Sequence, residues 1–314
     1  MPFSTRGLRR RTVLGAMATL AAGRALGALA DGPGAGPAFK VPAAACDCHH
    51  HIYDPRFPFV AGAKLTPPAA TVADYRRLQQ RLGTTRNVVV TPSAYGTDNR
   101  CLLDALGQFG ASARGIAVVD LSVTDAQLEQ LNAQGVRGIR VLFGRTNPVT
   151  PEAIAPLAER IRGLGWHMQF YMPAAQLVAL EPVLLKLPVD VVIDHMGHVP
   201  QPEGQSAPVY HTVRRLLDAG HGWVKVSGAY MDTRLGAPGF ADTSAVARGY
   251  IAAAPERILW GSNWPHPAAQ AGETPVPNDL QLFDLLASWA PEAALRERIL
   301  VDNPARLFGF GAGL

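Results

Sequence analysis

The sequence is poor in the features that mark disulfide-stabilised and nucleic-acid-binding proteins. It contains only three cysteines, an odd number, and Cys46 and Cys48 lie too close together on one strand to form a bridge readily. We therefore expect no disulfide framework. The formal net charge is only +4, and five arginines within the first 24 residues contribute +5 of it. No basic patch remains that would indicate a nucleic-acid partner.

Long hydrophobic runs are also missing. The apolar segment that extends to Leu29 is short and is interrupted by Arg24, so we do not expect it to span a bilayer. It follows Arg9-Arg10-Arg11 and ends at Ala28-Leu29-Ala30, a site suited to signal peptidase. These features predict a twin-arginine export signal over residues 1–30, in preference to a disordered basic leader. The mature protein is then expected in the periplasm, without membrane contact.

Residues 31–45 are rich in Gly, Pro and Ala and are expected to form a flexible lead-in to a single domain at 46–314. In that domain apolar runs alternate with amphipathic segments. The runs predicted as strands are 45–52, 87–91, 115–121, 136–143, 167–171, 189–195, 223–227 and 258–262, and the clearest predicted helices are 71–82, 125–134, 151–164 and 241–254.

This alternation predicts an α/β fold. Continuous apolar strands indicate a parallel sheet that is buried on both faces, and the length suits a (β/α)8 TIM barrel of about 250 residues. An open, doubly wound sheet is the alternative architecture. It is disfavoured because no Gly-x-Gly-x-x-Gly phosphate loop follows the first predicted strand.

Three consecutive histidines end the first predicted strand, within Asp47-Cys48-His49-His50-His51. Alternate side chains of a strand share a face, so His49 and His51 should point together and His50 should point away. Two imidazoles on one face can bind a metal ion, because neutral imidazole is a common zinc ligand. The other interpretation is a histidine-rich strand end whose hydrogen bonds are satisfied within the protein.

Polar residues also follow the other predicted strands. In a TIM barrel the C-terminal ends of the strands carry the active site. The clustering of polar residues at this one rim favours a functional role for His49, His51 and His195. The other candidate residues at strand ends are Ser93, Tyr95, Arg140, Arg145, Tyr171, Asn263 and His266.

Several motifs together resemble the amidohydrolase superfamily, over nearly all of the mature chain. They are the His49-x-His51 pair, Ile193-Asp194-His195-Met196-Gly197, Lys225-Val226-Ser227-Gly228-Ala229, Leu259-Trp260-Gly261-Ser262-Asn263-Trp264-Pro265-His266 and Asn303-Pro304-Ala305-Arg306-Leu307-Phe308. The chain resembles the branch that contains 2-pyrone-4,6-dicarboxylate lactonases and D-galactarolactone isomerases. This resemblance implies a TIM barrel and lactone chemistry without a metal ion. It also implies that His49, His51 and His195 polarise the lactone carbonyl.

The eighth strand departs from the lactonase pattern. The resemblance implies a water-activating aspartate where this chain has Asn263, and an amide has no useful basicity near neutral pH. Hydrolysis would then need another base, such as a neutral histidine or His266. The loss of an acidic ligand also makes a catalytic zinc less expected. A divalent cation at His49, His51 and His195 remains the minor alternative.

A hydroxyl of the substrate itself could instead attack the ring carbonyl. No water then needs activation, and proximity favours the intramolecular acyl transfer. The isomerase branch resembles this chain in carrying Asn at the position of Asn263, whereas the stretch from Asp47 to Asp54 is more similar to the lactonases. Lactone hydrolysis and lactone isomerisation both stay open, with a non-catalytic periplasmic binding protein as a third hypothesis.

The expected partner is a small-molecule lactone or carboxylic acid, and the oligomeric state is left open. A guanidinium binds a carboxylate in a planar, bidentate way, so Arg140 and Arg145 are the candidate partners of a substrate carboxylate. Ser93 and Tyr95 are candidate supporting donors. Arg140 could equally form an ordinary ion pair between strands. Tyr171 could bind the ligand or simply pack in the barrel.

Two further positions depart from the lactonase pattern. The resemblance implies an arginine for a second substrate carboxylate where this chain has Met231, and a tyrosine where it has Leu65. Both changes remove a polar partner of the substrate. They favour a substrate that is less acidic than the pyrone dicarboxylate.

Overall fold

The computed structural model describes residues 1–2, 36–143 and 149–311. Nearly all of the predicted export signal lies outside the described residues, and so does Arg145. The chain divides into two compact units, Met1–Gly36 and Pro37–Leu314, and the barrel belongs to the second. Residues 37–45 of the predicted lead-in contact this barrel. The Ala38 N–H donates a hydrogen bond of 2.7 Å to Asp284, and Phe39 packs against Phe283.

Eight parallel strands form one sheet in sequence order, which confirms the predicted (β/α)8 barrel. The strands are β1 Cys46–His50, β2 Arg86–Val90, β3 Ala113–Ala117, β4 Val136–Leu142, β5 His167–Tyr171, β6 Val191–Ile193, β7 Gly222–Val226 and β8 Ile258–Trp260. Each predicted apolar run therefore overlaps one strand. Every strand except β5 ends one to four residues before its apolar run ends.

Helices follow the strands and cover the outside of the sheet. They are α1 Val72–Leu82, α2 Arg100–Phe109, α3 Asp125–Ala133, α4 Ile154–Arg162, α5 Ala174–Leu184, α6 Pro208–Asp218, α7 Ala241–Ala253, α8 Pro267–Gln270, α9 Asp279–Trp289, α10 Ala293–Glu297 and α11 Asn303–Phe308. The side chain of Thr71 caps α1, and that of Thr124 caps α3, each in a capping box. Across the described ranges, no helix combines the length and apolarity that a membrane span requires.

The barrel closes between β1 and the residues that follow β8. The Asn263 N–H donates to the His49 carbonyl at 2.8 Å, and the His51 N–H donates to the Trp264 carbonyl at 2.8 Å. The buried carboxylate of Asp47 reinforces this seam. It accepts hydrogen bonds from the N–H and hydroxyl of Ser262 at 2.9 and 2.6 Å.

A β-bulge interrupts β1 between Asp47 and His50. Asp47 pairs with Asn87 and His50 pairs with Val89, so three steps along β1 match two steps along β2. One extra residue therefore lies in β1, and the alternation of its side chains shifts by one position.

The bulge decides which side chains of β1 enter the barrel. Cys48 packs in the apolar interior among residues of other strands, yet the next residue, His49, also points inward and lies 3.2 Å from Asp194. His51 follows it inside the barrel. His50 points outward and stacks on the ring of Tyr75 at 3.5 Å. Without the extra residue, Cys48 and His50 would share the interior and the other two histidines would face the helices.

Removal of the Asp47 carboxylate should destabilise the protein strongly. In Asp47→Ala the two N–H donors of His49 and Ser262 and the hydroxyls of Ser262 and Tyr75 all lose their buried acceptor. We expect the free energy of unfolding to fall by about 3–5 kcal/mol. The measurement is urea denaturation at pH 8, because burial raises the pKa of Asp47 to about 6 and the carboxylate is ionised there.

Asp125→Ala is the matched control, since this carboxylate is 86% exposed and pairs with Arg160 at the surface. Its removal should change the free energy of unfolding by no more than about 1 kcal/mol. An equally small change in Asp47→Ala would show that Asp47 does not hold the barrel seam.

Candidate active site

A cavity of about 200 Å³ opens at the C-terminal ends of the strands, a size that suits a small molecule. Six of the residues predicted from the sequence line it together, although they come from six different strand ends. They are His51, Ser93, Arg140, Tyr171, His195 and Asn263. The cavity is also lined by Leu65 and Met231, where the sequence departs from the lactonase pattern by loss of a polar residue, and by Tyr53 and Tyr230.

The other predicted site residues lie elsewhere. His49 lies below the cavity, fully buried, with its ring centroid 4.7 Å from that of His195. Tyr95 packs beside the cavity against Phe59, and its hydroxyl accepts a hydrogen bond from the Asp54 N–H, so it does not face the cavity. The ring of His266 also lies behind the lining. Arg145 falls outside the described residues.

A buried carboxylate organises the residues beneath the cavity. Asp194 Oδ2 accepts hydrogen bonds from Arg140 Nε at 3.3 Å and Nη2 at 3.2 Å, and from Gln169 Nε2 at 3.0 Å. Its Oδ1 lies 3.2 Å from His49 Nδ1 and 3.5 Å from Lys225 Nζ. We call these five residues the Asp194 network. Arg140 therefore forms the inter-strand ion pair that was its second interpretation, while its side chain still lines the cavity.

Within the Asp194 network, neighbouring ionisable groups shift the pKa values of Asp194 and His49. Burial alone would raise the pKa of Asp194, but His49 and the charges of Lys225 and Arg140 hold it well below its usual value. Burial lowers the pKa of His49 well below its usual value, with Asp194 opposing and Lys225 reinforcing this shift. The network thus combines one carboxylate with two cations around a neutral imidazole. It leaves positive potential beneath the cavity.

The hydrogen bonds define the tautomers of the two histidines from β1. His51 Nδ1 lies 2.7 Å from the carbonyl oxygen of Val90, which only accepts, so Nδ1 carries the hydrogen. Nε2 of the neutral His51 ring is then an acceptor, and it lies 3.3 Å from Nε2 of His49. His49 must therefore donate from Nε2. Its Nδ1 lies between the ammonium of Lys225, at 3.3 Å, and Asp194 Oδ1, at 3.2 Å.

His195 enters the cavity from a strained turn after β6. His195, Met196 and His198 all have positive φ values, of 50°, 56° and 52°. Left-handed backbone in residues other than glycine costs of order 1 kcal/mol each and is concentrated at functional sites. The Nδ1 atom of His195 is 2.8 Å from the Ser227 hydroxyl, and no hydrogen bond to its Nε2 is formed within the described residues.

Asn263 lies in a second left-handed turn, with φ of 61°. Its side-chain amide donates a hydrogen bond of 2.9 Å to the hydroxyl of Tyr230, which also lines the cavity. The same hydroxyl lies 3.0 Å from Nδ1 of His266, whose Nε2 lies 2.9 Å from Asp279. A chain of four hydrogen-bonded side chains therefore connects the cavity with the N-terminus of α9.

Several residues of the site were not among the sequence candidates, including Asp194, Lys225, Gln169, Tyr230 and Asp279. A signal for the first two exists, because a charged residue inside an apolar strand that is buried on both faces needs a partner. Tyr230 follows the Ser227-Gly228-Ala229 motif, but nothing in its neighbourhood indicates that it contacts Asn263 and His266, more than 30 residues further along the chain.

Comparisons with known proteins agree on the family. A family model described as amidohydrolase matches residues 46–310. A 2-pyrone-4,6-dicarboxylate hydrolase of Comamonas testosteroni is 37% identical over 287 residues, which cover 87% of this chain and 92% of that protein. A D-galactarolactone isomerase of Agrobacterium fabrum is 34% identical over 275 residues, which cover 87% of this chain and 92% of that protein.

A solved structure is similar over the same region. The apo crystal structure of a protein from Agrobacterium tumefaciens superimposes with a TM-score of 0.81 at 32% identity. The superposition covers 88% of this chain and 99% of that one. The similarity therefore extends over the whole barrel and includes the strand ends that form the cavity.

His51 should stay neutral across the physiological pH range and carry its hydrogen on Nδ1. Burial lowers its pKa to about 3, and the charge of Arg140 acts in the same direction, against the hydrogen bond to Val90. We expect its ¹⁵N NMR signals to show the Nδ1–H tautomer without change between pH 5 and pH 8, with the assignment made from their loss in His51→Gln. A protonation midpoint inside this window would contradict the arrangement of the histidines.

Proposed function

The chain belongs to the amidohydrolase family, and on that premise we propose that it is a lactonase that opens the ring ester of a small, carboxylate-bearing lactone. The observation that carries the proposal is the convergence of His51, His195 and Asn263 on one cavity above the positive Asp194 network. The two relatives described above are named for a pyrone dicarboxylate and a galactarolactone, both of them carbonyl-containing rings.

The arrangement suits attack on a carbonyl group. Negative charge develops on the carbonyl oxygen as a nucleophile adds, and donors fixed in advance around that oxygen lower the barrier. His195 can supply such a donor from Nε2 when the Ser227 hydroxyl donates to its Nδ1. The charges of Lys225 and Arg140 below the cavity stabilise the same developing negative charge, because both are almost fully withdrawn from water.

The substrate carboxylate is assigned to the side of the cavity that carries Arg140, Ser93 and Tyr171. Asp194 occupies two nitrogens of the Arg140 guanidinium, so Arg140 attracts a substrate carboxylate through its charge and its remaining N–H groups. Met231 and Leu65, which also line the cavity, add no charge to it. We therefore propose a substrate with one carboxylate near Arg140 and a less polar or hydroxylated remainder.

Isomerisation of a lactone is the second candidate function, and Asn263 is the observation that favours it. No carboxylate projects from this position to activate a water molecule. A hydroxyl of the substrate that is held against the ring carbonyl gains from proximity what a water molecule would need from a strong base. Hydrolysis and isomerisation share the polarised carbonyl and differ only in which oxygen attacks it.

The residues present do not fit a divalent cation. His49, Asp194 and His195 bring potential ligand atoms within 4.8 Å of one another. The ammonium of Lys225, however, lies 3.3 Å from His49 Nδ1 and 3.5 Å from Asp194 Oδ1, where it already balances the carboxylate. Arg140 adds a second cation, and Asn263 supplies no negative ligand. A divalent ion would be repelled from this set, so we propose metal-independent chemistry.

A screen of lactones tests the proposed function. Purified protein is incubated with sugar-acid and aromatic-derived lactones in ¹⁸O-labelled water, and the products are followed by NMR and mass spectrometry. Hydrolysis incorporates the label, and isomerisation does not. His195→Ala should lower turnover by about 100-fold or more, because it removes the proposed carbonyl donor. His211→Gln, an exposed histidine on α6, is the matched control and should retain full activity.

Two results of this screen would contradict the assignment. Tight binding of a lactone without any product would indicate a binding protein instead of an enzyme. Full activity of His195→Ala would remove this histidine from the chemistry.

Metal analysis tests the second part of the proposal. We expect elemental analysis of the purified protein to find far less than one zinc or manganese ion per chain. We also expect turnover to be unchanged after treatment with a chelator. The physical reason is the charge of Lys225 and Arg140 at the only described cluster that brings three possible ligands together. Near-stoichiometric metal, with activity lost on its removal, would overturn the metal-independent mechanism.

A further inference from the structure

A chain of four side chains leads from the cavity into the protein beside β8. Asn263 donates to the Tyr230 hydroxyl at 2.9 Å, this hydroxyl is 3.0 Å from His266 Nδ1, and His266 Nε2 is 2.9 Å from Asp279 Oδ1. The His266 side chain is only 2% exposed and that of Asp279 is 19% exposed. Only Asn263 and Tyr230 line the cavity. The histidine reaches it through the tyrosine.

The direction of each hydrogen bond follows from the chemistry of the end groups. The carboxylate of Asp279 only accepts, so Nε2 of His266 carries the hydrogen. Nδ1 of the neutral ring is then an acceptor, and the Tyr230 hydroxyl donates to it. The Tyr230 oxygen accepts from the amide of Asn263, whose own oxygen stays available to the cavity. Each group in the chain has one consistent role.

The order Asp279, His266, Tyr230 resembles a catalytic triad, with the phenol of Tyr230 in the place of the nucleophilic hydroxyl. A carboxylate orients the histidine, and the histidine is ready to take the proton of the hydroxyl. Burial raises the pKa of Tyr230, so the phenol keeps its proton until it passes one on. The N-terminus of α9 also favours the negative charge of Asp279, which lies in its first turn.

We propose that Tyr230 is the catalytic proton shuttle of the lactone reaction, with His266 as the proton acceptor behind it and Asp279 as the positioning residue. This inference rests on the proposed function and supplies the base that Asn263 cannot provide. His266, which the sequence suggested as a direct base or ligand contact, acts in this scheme through Tyr230.

The proton transfers balance over one turnover. The attacking oxygen, from water or from a substrate hydroxyl, forms a bond to the lactone carbonyl carbon and gives its proton to the Tyr230 oxygen. The phenol proton moves at the same time to His266 Nδ1, and the imidazolium that forms is paired with Asp279. When the ring C–O bond breaks, the proton returns through Tyr230 to the leaving oxygen. His266 and Tyr230 then regain their starting states.

The backbone around Asn263 holds this chain in place. Asn263 and His266 both have left-handed backbone, with φ of 61° and 63°, and the His266 N–H donates to the Asn263 carbonyl at 2.7 Å. This tight turn directs the histidine ring away from the cavity and towards Tyr230. Gly228 allows the loop after β7 to reach the same point, because its φ of 67° is a left-handed conformation that other residues rarely adopt.

Kinetics in two backgrounds test the proposal. Tyr230→Phe, His266→Gln and Asp279→Asn are each measured in the natural sequence and in Asn263→Asp, which places a base directly at the cavity. In the natural background we expect kcat to fall by about 100-fold or more for Tyr230→Phe and His266→Gln, and by a smaller factor for Asp279→Asn. In the Asn263→Asp background the same changes should lower kcat by no more than about threefold. The reason is that Asp at 263 takes the proton directly and so replaces the relay formed by Tyr230, His266 and Asp279.

The comparison of backgrounds separates catalysis from structure. A purely structural role would produce the same loss in both backgrounds, and that outcome would overturn the proposal. Glu273 also lines the cavity, so it is the competing candidate base. Loss of activity in Glu273→Gln, with His266→Gln unaffected, would assign the base to this carboxylate and would also overturn the proposal. Tyr210→Phe and His211→Gln, on α6, are the matched controls for loss of a tyrosine hydroxyl and of an imidazole.

The turnover measurements distinguish failure of the relay from failure of the proposed function. Turnover of a lactone that is the same in the natural protein and in His266→Gln would overturn the relay alone, whereas no turnover of any lactone would overturn the proposed function.

A measurement without substrate tests the hydrogen-bond directions of the relay. ¹⁵N NMR of the intact protein should show His266 as the Nε2–H tautomer, with an Nδ1 shift that changes in Tyr230→Phe. An Nδ1–H tautomer would contradict the hydrogen-bond directions and overturn the relay.

Discussion

The charge of Asp194 is the constraint on which the rest of the site depends. It lies inside the barrel, where an unpaired carboxylate would cost several kcal/mol, so it requires cations and hydrogen-bond donors from other strands. Arg140 from β4, Gln169 from β5 and Lys225 from β7 meet this requirement, and His49 from β1 joins them. Five of the eight strands are thereby joined around one carboxylate. The network also positions His49, whose Nε2 lies 3.3 Å from Nε2 of His51 at the cavity.

Backbone irregularities place the candidate catalytic side chains around the Asp194 network and the cavity above it. A regular barrel would fill its interior with alternating side chains, and neither His49 nor His51 would then face the cavity. The bulge in β1 turns both of them inward, and the left-handed turns after β6 and β8 do the same for His195 and Asn263. These conformations cost backbone energy that the surrounding hydrogen bonds must offset. The site is therefore strained where it meets the substrate and regular elsewhere.

Much of the fold could be predicted from the periodicity of apolar residues in the sequence, because apolar runs and amphipathic segments directly reflect which residues are buried. Each of the eight predicted strands overlaps an observed one, and alternation alone grouped His49 with His51. Other features depend on geometry that no local pattern encodes. The sequence does not show that an extra residue in β1 turns those histidines inward, nor that the partner of Arg140 is Asp194 on another strand. His266 was expected near the ligand because it follows β8, but a positive φ rotates its ring behind the cavity lining.

Asn263 is best understood through the direction of one hydrogen bond. An amide donates to the Tyr230 oxygen, which leaves the phenol proton free to point at His266. A carboxylate at 263 only accepts, so it would compete with His266 for that same proton and would itself be the stronger base at the cavity. Two arrangements are thus available to this barrel: a carboxylate that takes the proton directly, or an amide that directs it through a phenol to a buried histidine. In the proposed reaction, the second arrangement places no negatively charged side chain at position 263. In this reaction, a hydroxyl of the substrate could pass its proton to Tyr230 as readily as a water molecule could.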